Sequence, residues 1–490
     1  MKDFSTSRPN CFKHHAPLHS FILFLIFFFS SLATACSSEA KLDQAKLLND
    51  LLSADEQTHT AAFKTIVDSG DPVFLAPLID LYWAGQVGLN DWSGSAETVA
   101  ALEKLSGESL GDEWADWVTW YSRSSHGPPA GYTAWKGELF TGVDSDFGRF
   151  FEGMTAENFR VEEVVWGGVA KDGIPALDFI KQVPIAEAKG FTPKDAVFGL
   201  SINGDHRAYP LRIMDWHEMA NDVVGGEAVS IAYCTLCGSA IAYKTTHPAS
   251  EAPIDFGSSG LLYRSNKLMY DRQTNTLWNQ LTGRPVMGPL VGQVDQLEIL
   301  PLVITTIEAW QAQHPDATVV PLETGTFRDY TAGAAYGDYF VREELLFPVG
   351  EIDDRLPAKT QVFALQVDDA AGAYPVEAFG AEPVINDQLG GINVVLIAAS
   401  SNINVYGYSY ELEYITYSAG GEIRAFERGD HLFELTADGV LIDEDDRVWE
   451  IQEDQLIGPN QESLKRLGGH ISFWFGWQSF YPETAVYRFE

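Results

Sequence analysis

The sequence of 490 residues predicts a mainly β, overall α+β protein, in which a small helical domain precedes two duplicated β-rich lobes with approximate twofold symmetry. Three observations predict this fold class. Residues 40–123 carry apolar side chains at helical spacing. The later residues form short β-branched and aromatic runs between turn formers, a pattern typical of strands. One set of residues also recurs at a long, constant offset, which indicates two copies of one unit.

Composition and charge limit the classes of function. Hydrophobic residues make up 46% of the chain and charged residues 21%, a balance that excludes a disordered or low-complexity protein. The formal net charge of −37 repels phosphate backbones, and no local basic face offsets it. We therefore expect no nucleic-acid partner.

Residues 1–35 are predicted to be a signal peptide. The apolar run at residues 21–29 follows basic residues and is too short to span a bilayer of about 30 Å. The next segment, Leu32-Ala-Thr-Ala-Cys36, resembles a bacterial lipobox, which predicts lipidation of Cys36. This interpretation gives an exported, membrane-anchored lipoprotein that faces the periplasm or the cell exterior. The alternative is a simple secreted protein with one spare thiol.

Residues 36–123 are predicted to form the helical domain, of a type similar to helical repeats. Stripes such as Trp114, Trp117 and Trp120 have the spacing of one helix face, and such stripes more often pack a core than bind a ligand. The outer surface of these helices is a candidate for docking a protein partner. Residues 124–135 are rich in Gly, Pro and Ser and are predicted to be a linker.

The two lobes are predicted at residues 136–354 and 355–490. Ala208-Tyr209-Pro210 recurs as Ala373-Tyr374-Pro375, and Asn221-Asp222 recurs at the same offset as Asn386-Asp387. Residues of these types form turns and pack cores, so we interpret the shared positions as structural. Other positions differ between the copies. Cys234 in the first lobe corresponds to Ala399 in the second, Cys237 to Asn402, His217 to Glu382, and Glu218 to Pro383. Divergence without a function is the alternative explanation.

Cys234 and Cys237 are the cysteines that remain for chemistry once the leader is removed and Cys36 is acylated. Their Cys-x-x-Cys motif lies between two strand-like runs, whereas a thioredoxin-type motif opens a helix. Strand, Cys-x-x-Cys-Gly and strand resemble a metal knuckle, which supplies two of four ligands. Outside the cytoplasm the pair can also form a disulfide.

His217 and Glu218 are the nearest candidates to complete such a site. They are not a zinc-protease signature, because Asn221 stands where the second histidine would be. His217 together with the thiolates of Cys234 and Cys237 would suit copper or zinc. Glu218 would orient His217 or handle a proton. The alternative for His217 is a half-buried imidazole that is hydrogen-bonded to the backbone.

Two further groups of charged residues have less specific patterns. Arg264, Asp271 and Arg272 could form a small anion-binding or cofactor-binding site that faces the cysteines, or they could be ion pairs that hold turns together, which is the more common use. The acidic run at residues 443–446 lacks the spacing and glycine of a calcium-binding loop, so we interpret it as a solvated turn.

A set of ordered motifs in residues 130–365 resembles a bacterial and archaeal family described as domain of unknown function 3179 (DUF3179). Residues 366–490 resemble it as a looser copy. The family implies no reaction, so the resemblance supports the boundaries and the candidate residues only. The motifs are Trp166-Gly-Gly-Val169, Asp172-Gly-Ile-Pro175, Ile202-Asn-Gly204, Arg207-Ala-Tyr-Pro-Leu-Arg212, Asp215-Trp-His-Glu-Met219, Tyr233-Cys-Thr-Leu-Cys-Gly238, Phe256-Gly-Ser-Ser-Gly260, Tyr263-Arg-Ser-Asn-Lys267 and Met269-Tyr-Asp-Arg-Gln-Thr274.

Two hypotheses follow. In the first, the exported protein uses Cys234, Cys237 and His217, with Glu218, to bind copper or zinc or to perform thiol redox chemistry. In the second, it is a non-catalytic binding or scaffold protein of the cell envelope, and the two cysteines form a structural disulfide. The sequence leaves open whether the protein is an enzyme and which small molecule it binds.

Overall fold

Helices form the N-terminal part of the computed structural model, which describes residues 42–89, 96–250 and 252–488. Asp55 caps the second helix by accepting a hydrogen bond from the Thr58 N–H, and Gly70, with φ 67°, ends it. The third helix is buried along most of its length, and the three later helices pack around it. The helices are α1 (Gln44–Leu51), α2 (Glu56–Ser69), α3 (Leu75–Gln86), α4 (Ala96–Ser106), α5 (Trp114–Arg123) and α6 (Tyr132–Phe140).

The helices and the β-rich region belong to one compact unit from residue 44 onward. The guanidinium of Arg160, which lies between the first two strands of the β-rich region, donates to the carbonyls of Ser122, Ser124 and His126. The first residues of the predicted linker, 124–135, are therefore packed against the β region. Its last four residues are not a linker, because α6 begins at Tyr132.

The first β-rich region contains three sheets, with strand orders β1-β12-β11-β10-β9-β2, β13-β8-β7-β6 and β14-β4-β5-β15-β3. Its elements are β1 (Met154–Thr155), β2 (Val164–Trp166), β3 (Val183–Pro184), β4 (Ala196–Ile202), β5 (Asp205–Pro210), α7 (Leu211–His217), β6 (Met219–Val224), β7 (Glu227–Cys234), β8 (Ser239–Lys244), β9 (Phe256–Tyr263), β10 (Asn266–Asp271), β11 (Leu277–Asn279), β12 (Arg284–Gly288), β13 (Ile299–Leu300), β14 (Leu302–Thr306), α8 (Ile307–Gln313) and β15 (Thr318–Val319). A short helix, α9 (Gly337–Val341), lies in the segment that leads to the second region.

The second β-rich region contains sheets of order β28-β16-β17-β29 and β18-β19-β22-β27-β26-β25-β24-β23, and the separate hairpin β20-β21. Its elements are β16 (Gln361–Val367), β17 (Ala370–Pro375), β18 (Val384–Leu389), β19 (Ile392–Ser400), β20 (Asn404–Ser409), β21 (Glu413–Ser418), β22 (Glu422–Glu427), β23 (Phe433–Leu435), β24 (Leu441–Asp443), β25 (Val448–Ile451), β26 (Gln455–Ile457), β27 (Ser463–Leu467), β28 (Gly469–Phe473), α10 (Trp474–Gln478) and β29 (Ala485–Val486).

Residues that recur in the sequence make equivalent contacts in the two regions. The Tyr209 hydroxyl donates to Asp222 at 2.7 Å, and the Tyr374 hydroxyl donates to Asp387 at 2.9 Å. In each region an antiparallel pair, β4-β5 or β16-β17, is extended by one antiparallel strand and one short parallel strand. These contacts explain why the positions are shared. A common origin of the two lobes stays a prediction.

The main apolar core contains residues of both β-rich regions. Phe198 and Tyr233 of the first region and Phe363 and Ile423 of the second are buried in the same cluster. The two regions therefore share an interior, and apolar burial on this scale is the main term that favours folding. The mainly β fold with N-terminal helices, predicted from residue spacing, is confirmed.

Candidate functional site

The Cys-x-x-Cys motif forms the turn between β7 and β8. Cys234 ends β7 and pairs with Ser239, the first residue of β8. The Gly238 N–H donates to the Thr235 carbonyl at 3.2 Å, and Gly238 has φ 57°, a conformation that costs glycine little. The motif is thus held between two strands, and no helix follows it directly.

Both cysteines are free thiols in a buried environment. Cys234 is 2% exposed and Cys237 is 0% exposed. The second lobe covers them, because the Phe473 N–H donates to the Cys237 carbonyl at 2.7 Å. Gly476 lies so close that a Cβ there would stand 3.2 Å from the Cys237 sulfur. Any reagent that reaches the sulfurs must therefore enter between packed elements.

The hairpin of β9 and β10 brings polar groups to the sulfurs. Its two turn residues, Arg264 and Ser265, have φ 53° and 59°, values that usually require Gly or Asn. The Arg264 side chain holds the turn, because it donates to Glu163 at 2.7 Å and to a carbonyl of the second lobe at 2.9 Å. The next residue, Asn266, donates its amide N–H to the Cys237 sulfur at 3.4 Å.

Beside the cysteines lies a buried ion pair that the sequence did not predict. The Lys267 ammonium is 2.8 Å from Glu218, and both side chains are almost fully buried. Glu218 also accepts hydrogen bonds from the hydroxyls of Thr235, inside the Cys-x-x-Cys motif, and of Tyr336, at 3.2 and 3.3 Å. Burial strengthens such contacts and makes them costly to break, so this network ties the motif to its surroundings.

The two thiols differ in acidity because their hydrogen bonds differ. Burial is the largest influence on the Cys234 thiol and raises its pKa, but donation from the Cys237 thiol and from the Lys267 backbone N–H lowers the pKa below its usual value overall. Burial, followed by donation to Cys234, raises the pKa of Cys237 well above its usual value. Cys234 is therefore the sulfur of the pair that loses its proton more readily, and the thiolate is the reactive form of a cysteine.

His217 lies apart from this network. Its Nδ1 lies 2.7 Å from the Pro175 carbonyl and its Nε2 lies 2.5 Å from the Tyr330 hydroxyl, and burial lowers the pKa of the ring. In residues 42–89, 96–250 and 252–488, no ligand atoms of His217, Cys234 and Cys237 form a set within 4.8 Å of one another. The reason is local: Glu218 adopts a left-handed conformation with φ 55°, and it is Glu218 that contacts the motif.

Arg264, Asp271 and Arg272 do not converge on a shared anion site. Arg264 pairs with Glu163 at one end of β10. At the other end, Asp271 accepts from the Trp278 indole at 3.0 Å, and Arg272 pairs with Asp178 at 2.8 Å. Each side chain thus has a partner that holds a turn, which is the alternative use expected from the sequence.

Within the described part of the chain, one group of three residues could hold a metal ion: His431, Asp443 and Glu444 in the second lobe. The Arg447 guanidinium donates to Asp443 at 2.8 Å and lies 3.2 Å from the Nδ1 of His431. The Arg447 guanidinium therefore already supplies a positive charge to these three residues. The acidic run at residues 443–446 was predicted to be a solvated turn, and for Asp443 this prediction is wrong. Asp443 is buried and accepts hydrogen bonds that hold the turn.

Sequence reasoning missed several residues that surround the cysteines, namely Thr235, Asn266, Lys267, Tyr336 and Tyr339. Asn266 and Lys267 lie in one of the ordered motifs, so their presence there was the available signal. Tyr339 donates its hydroxyl to the Leu236 carbonyl, inside the Cys-x-x-Cys motif, at 2.7 Å. It comes from a segment about a hundred residues later that carries no recognisable motif.

The proposed leader and Cys36 lie outside the described residues. In the part of the chain that the structure describes, none of the helices combines the length and the apolar character needed to cross a membrane.

Comparison with known families gives one match. A family model described as protein of unknown function (DUF3179) matches residues 171–484, which confirms the resemblance seen in the motifs. The match covers most of both β-rich lobes, from before β3 to beyond α10, and leaves out α1 to α6, β1, β2 and β29. Neither the curated proteins nor the solved structures contain a match to this chain.

Proposed function

This chain belongs to the DUF3179 family of proteins of unknown function, and we propose that its first lobe carries a redox-active dithiol, formed by Cys234 and Cys237, which exchanges with disulfides. One observation carries the proposal. Two free sulfurs in the same turn have opposite pKa shifts, which is the arrangement that a dithiol needs to attack first with one sulfur and then with the other.

The reaction follows from this difference in acidity. The Cys234 thiolate attacks one sulfur of a substrate disulfide, forms a mixed disulfide and releases the first substrate thiolate. Cys237 then loses its proton and attacks the Cys234 sulfur, which releases the second substrate thiolate. The products are a Cys234–Cys237 disulfide and a dithiol substrate that has gained two electrons.

Glu218 and Lys267 set the charge around this reaction. The Glu218 carboxylate opposes the formation of the Cys234 thiolate, and the Lys267 ammonium compensates that charge at 2.8 Å. Glu218 contacts the motif through Thr235 and is our candidate for the group that accepts the proton of the second thiol. His217 has no part in this scheme, since both of its ring nitrogens have other partners.

The test uses a protein in which Cys11 and Cys36 are replaced by Ser, so that Cys234 and Cys237 are its only thiols. We expect the pair to bridge reversibly in glutathione redox buffers and to be recovered by dithiothreitol. The Cys237→Ser variant should trap a mixed disulfide on Cys234, whereas the Cys234→Ser variant should trap much less. Mass spectrometry measures all three states.

Two outcomes would contradict the proposal. Thiols that never bridge at any potential would remove the redox function. A bridge that persists in strong reductant would instead favour the alternative of a scaffold protein with a structural disulfide. In that case, replacing either cysteine should lower stability and leave every exchange reaction unchanged.

A second candidate function, binding of a soft metal ion by the same sulfurs, has separate support. The Asn266 amide and the Lys267 backbone N–H donate to the sulfurs, as N–H groups do to metal-bound thiolates. Among the described residues no third His, Cys, Asp or Glu ligand joins them within 4.8 Å. Such a pair suits copper(I), which accepts few soft ligands, better than tetrahedral zinc.

Anaerobic titration distinguishes the metal function from the redox function. The metal function predicts that the protein takes up one copper(I) per chain in competition with a chromogenic chelator, and that the Cys234→Ser, Cys237→Ser double variant does not. Equal and negligible copper and zinc in both proteins would exclude it.

We also propose that the protein is exported and held at the membrane by lipid on Cys36. The support is the apolar run at residues 21–29 and the Leu32-Ala-Thr-Ala-Cys36 motif. Cells grown with a labelled fatty acid should label the wild-type protein in the membrane fraction and should not label a Cys36→Ala variant. Unlabelled, freely secreted wild-type protein would contradict the anchor.

A further inference from the structure

We propose that a cavity between the two lobes, bordered by Arg212 and by the β20-β21 hairpin, binds a small organic molecule with an apolar body and one anionic head group. The volume of this cavity is about 530 Å³, within the range of about 300–1,000 Å³ that is typical of small-molecule sites. The proposal goes beyond the thiol chemistry and does not depend on it.

The apolar part of the site comes from both lobes. Ala196 and Leu211 line the cavity from the first lobe, and Val405, Tyr406 and Tyr417 line it from the second. Tyr406 is 63% exposed, so its ring is an apolar surface that the fold leaves uncovered. A flat or branched apolar group could pack between these walls, and burial of both surfaces would favour binding.

Arg212 supplies the anchor for an anion. Its Nη2 donates to the Gly190 carbonyl and lies 3.1 Å from Asp195, and its guanidinium packs 4.8 Å from the centre of the Phe191 ring. These contacts fix the guanidinium in place. Its Nε is buried and has no hydrogen-bond partner among the residues that the structure describes. The side chain as a whole lines the cavity and is 16% exposed, so a carboxylate or sulfonate oxygen in the cavity can pair with its positive charge.

The other charges around the cavity limit the ligand to a single negative charge. Lys194 on the rim is exposed and favours an anion. Asp195 and Glu308 also line the cavity and oppose a multiply charged ligand such as a phosphate ester. Asp195 is held by the Thr192 hydroxyl at 2.6 Å, and Glu308 is exposed to solvent. A monoanionic carboxylate therefore fits the site best.

The test uses two fluorescent probes of similar shape on the full-length protein. The first probe, 8-anilinonaphthalene-1-sulfonate, carries one negative charge, and the second, N-phenyl-1-naphthylamine, is neutral. We expect saturable binding of the charged probe to the wild-type protein. In the Arg212→Gln variant its Kd should rise about tenfold or more, while the Kd of the neutral probe changes less than about twofold.

Two further variants make the test independent of the folding of the first. Arg284→Gln removes an exposed guanidinium that lies outside the cavity and should leave both Kd values unchanged. Ala332→Phe adds a ring at another position in the lining of the cavity, keeps Arg212, and should abolish saturable binding of both probes. Non-saturable binding to the wild-type protein, or charged-probe binding that survives both Arg212→Gln and Ala332→Phe, would overturn the proposal.

Discussion

Single residues decide which group faces the two sulfurs. Glu218 occupies a left-handed conformation at the end of α7, and His217, its neighbour, is directed to other partners. On the opposite side, Arg264 and Ser265 accept the same rare conformation so that Asn266 and Lys267 reach the cysteines. Backbone conformations that cost free energy are often retained at functional sites, and here both border the Cys-x-x-Cys turn.

Replacement of Glu218 by Gln should make the Cys234 thiol more acidic. The variant keeps the size of the side chain and removes the charge that opposes the Cys234 thiolate, so the pKa of Cys234 should fall by roughly one unit or more. The pH dependence of thiolate absorbance measures the change. Glu227→Gln, which breaks an exposed pair with Lys244 on the neighbouring strand, is the control and should have no effect. An unchanged or higher pKa in Glu218→Gln would contradict the assigned charge effect.

A pH dependence is expected from His470 in β28. Burial lowers the pKa of this ring to about 4, and neither ring nitrogen has a hydrogen-bond partner in the described residues. In the unfolded chain the pKa of the ring is near 6.5. Between pH 6.5 and 4 the ring is therefore protonated in the unfolded state and neutral in the folded state. The contribution of His470 to stability is therefore present above pH 6.5 and is lost as the pH falls toward 4, a loss of about 3 kcal/mol.

Urea unfolding of the wild-type protein and of a His470→Leu variant at several pH values tests this expectation. The difference in the free energy of unfolding between them should shift in favour of the variant as the pH falls from 7 to 4. Parallel pH profiles would show that the ring does not remain neutral in the folded protein. His431→Leu is a useful comparison, because His431 has carboxylate partners near its ring nitrogens.

Among the elements, α9 is the short helix that contacts the Cys-x-x-Cys turn. This helix of five residues packs on β21 and places the Tyr339 hydroxyl on the Leu236 carbonyl. Cavities of about 910 and 630 Å³ border it. The Lys359 ammonium donates to the Tyr339 and Arg342 carbonyls at its end, at 2.6 and 2.8 Å. Tyr339 and Phe340 also pack in the apolar cluster around the cysteines. We expect a helix this short, beside open space, to open locally more often than the strands do.

We therefore predict that Tyr339→Phe exposes the thiols more often. Loss of one hydrogen bond of about 1 kcal/mol should raise the rate of modification by a small aromatic disulfide about fivefold, with little change in global stability. Absorbance of the released thiolate measures the rate. Tyr410→Phe, which removes an exposed hydroxyl bonded to Asp329, is the matched control. An unchanged rate in Tyr339→Phe would mean that the reagent enters by another route.

Across the whole molecule, a buried network of charges joins the two β-rich lobes. Arg424 of the second lobe pairs with Glu422 at 2.8 Å and with Glu453 at 2.7 Å. The Thr305 hydroxyl and the Gln313 amide of the first lobe donate to Glu422 at 2.7 and 3.1 Å. The arginines beside Glu453, together with His314, hold the pKa of its carboxyl well below the usual range although burial opposes this.

The corresponding prediction is that Arg424→Met destabilises the whole protein. It leaves two buried carboxylates without their shared cation, which should lower the free energy of unfolding by about 3–5 kcal/mol. Chemical denaturation measures the loss. Lys64→Met, which breaks an exposed pair with Asp68 on α2, should change stability by less than about 1 kcal/mol. Equal effects of the two variants would show that the network does not couple the lobes.

Part of this structure follows from local features of the chain. Helical spacing predicted the N-terminal helices, and the runs around Cys234 and Cys237 predicted a turn between strands. The recurring Tyr209 and Tyr374 were interpreted as structural, and both make the same contact with an aspartate. Spacing, turn chemistry and the signature of a family act through near neighbours, so they can be read from one sequence.

Which side chains contact the two cysteines was decided by the tertiary structure. Cys234 follows His217 by 17 positions in the sequence, and that spacing is compatible with many orientations of the imidazole. Glu218 adopts a left-handed conformation, and its carboxylate contacts the Cys-x-x-Cys motif in place of the His217 imidazole. Lys267, Tyr339 and Phe473 reach the same turn from distant parts of the chain. Such contacts depend on strand pairing and on the packing of one lobe against the other, which no local pattern of residues encodes.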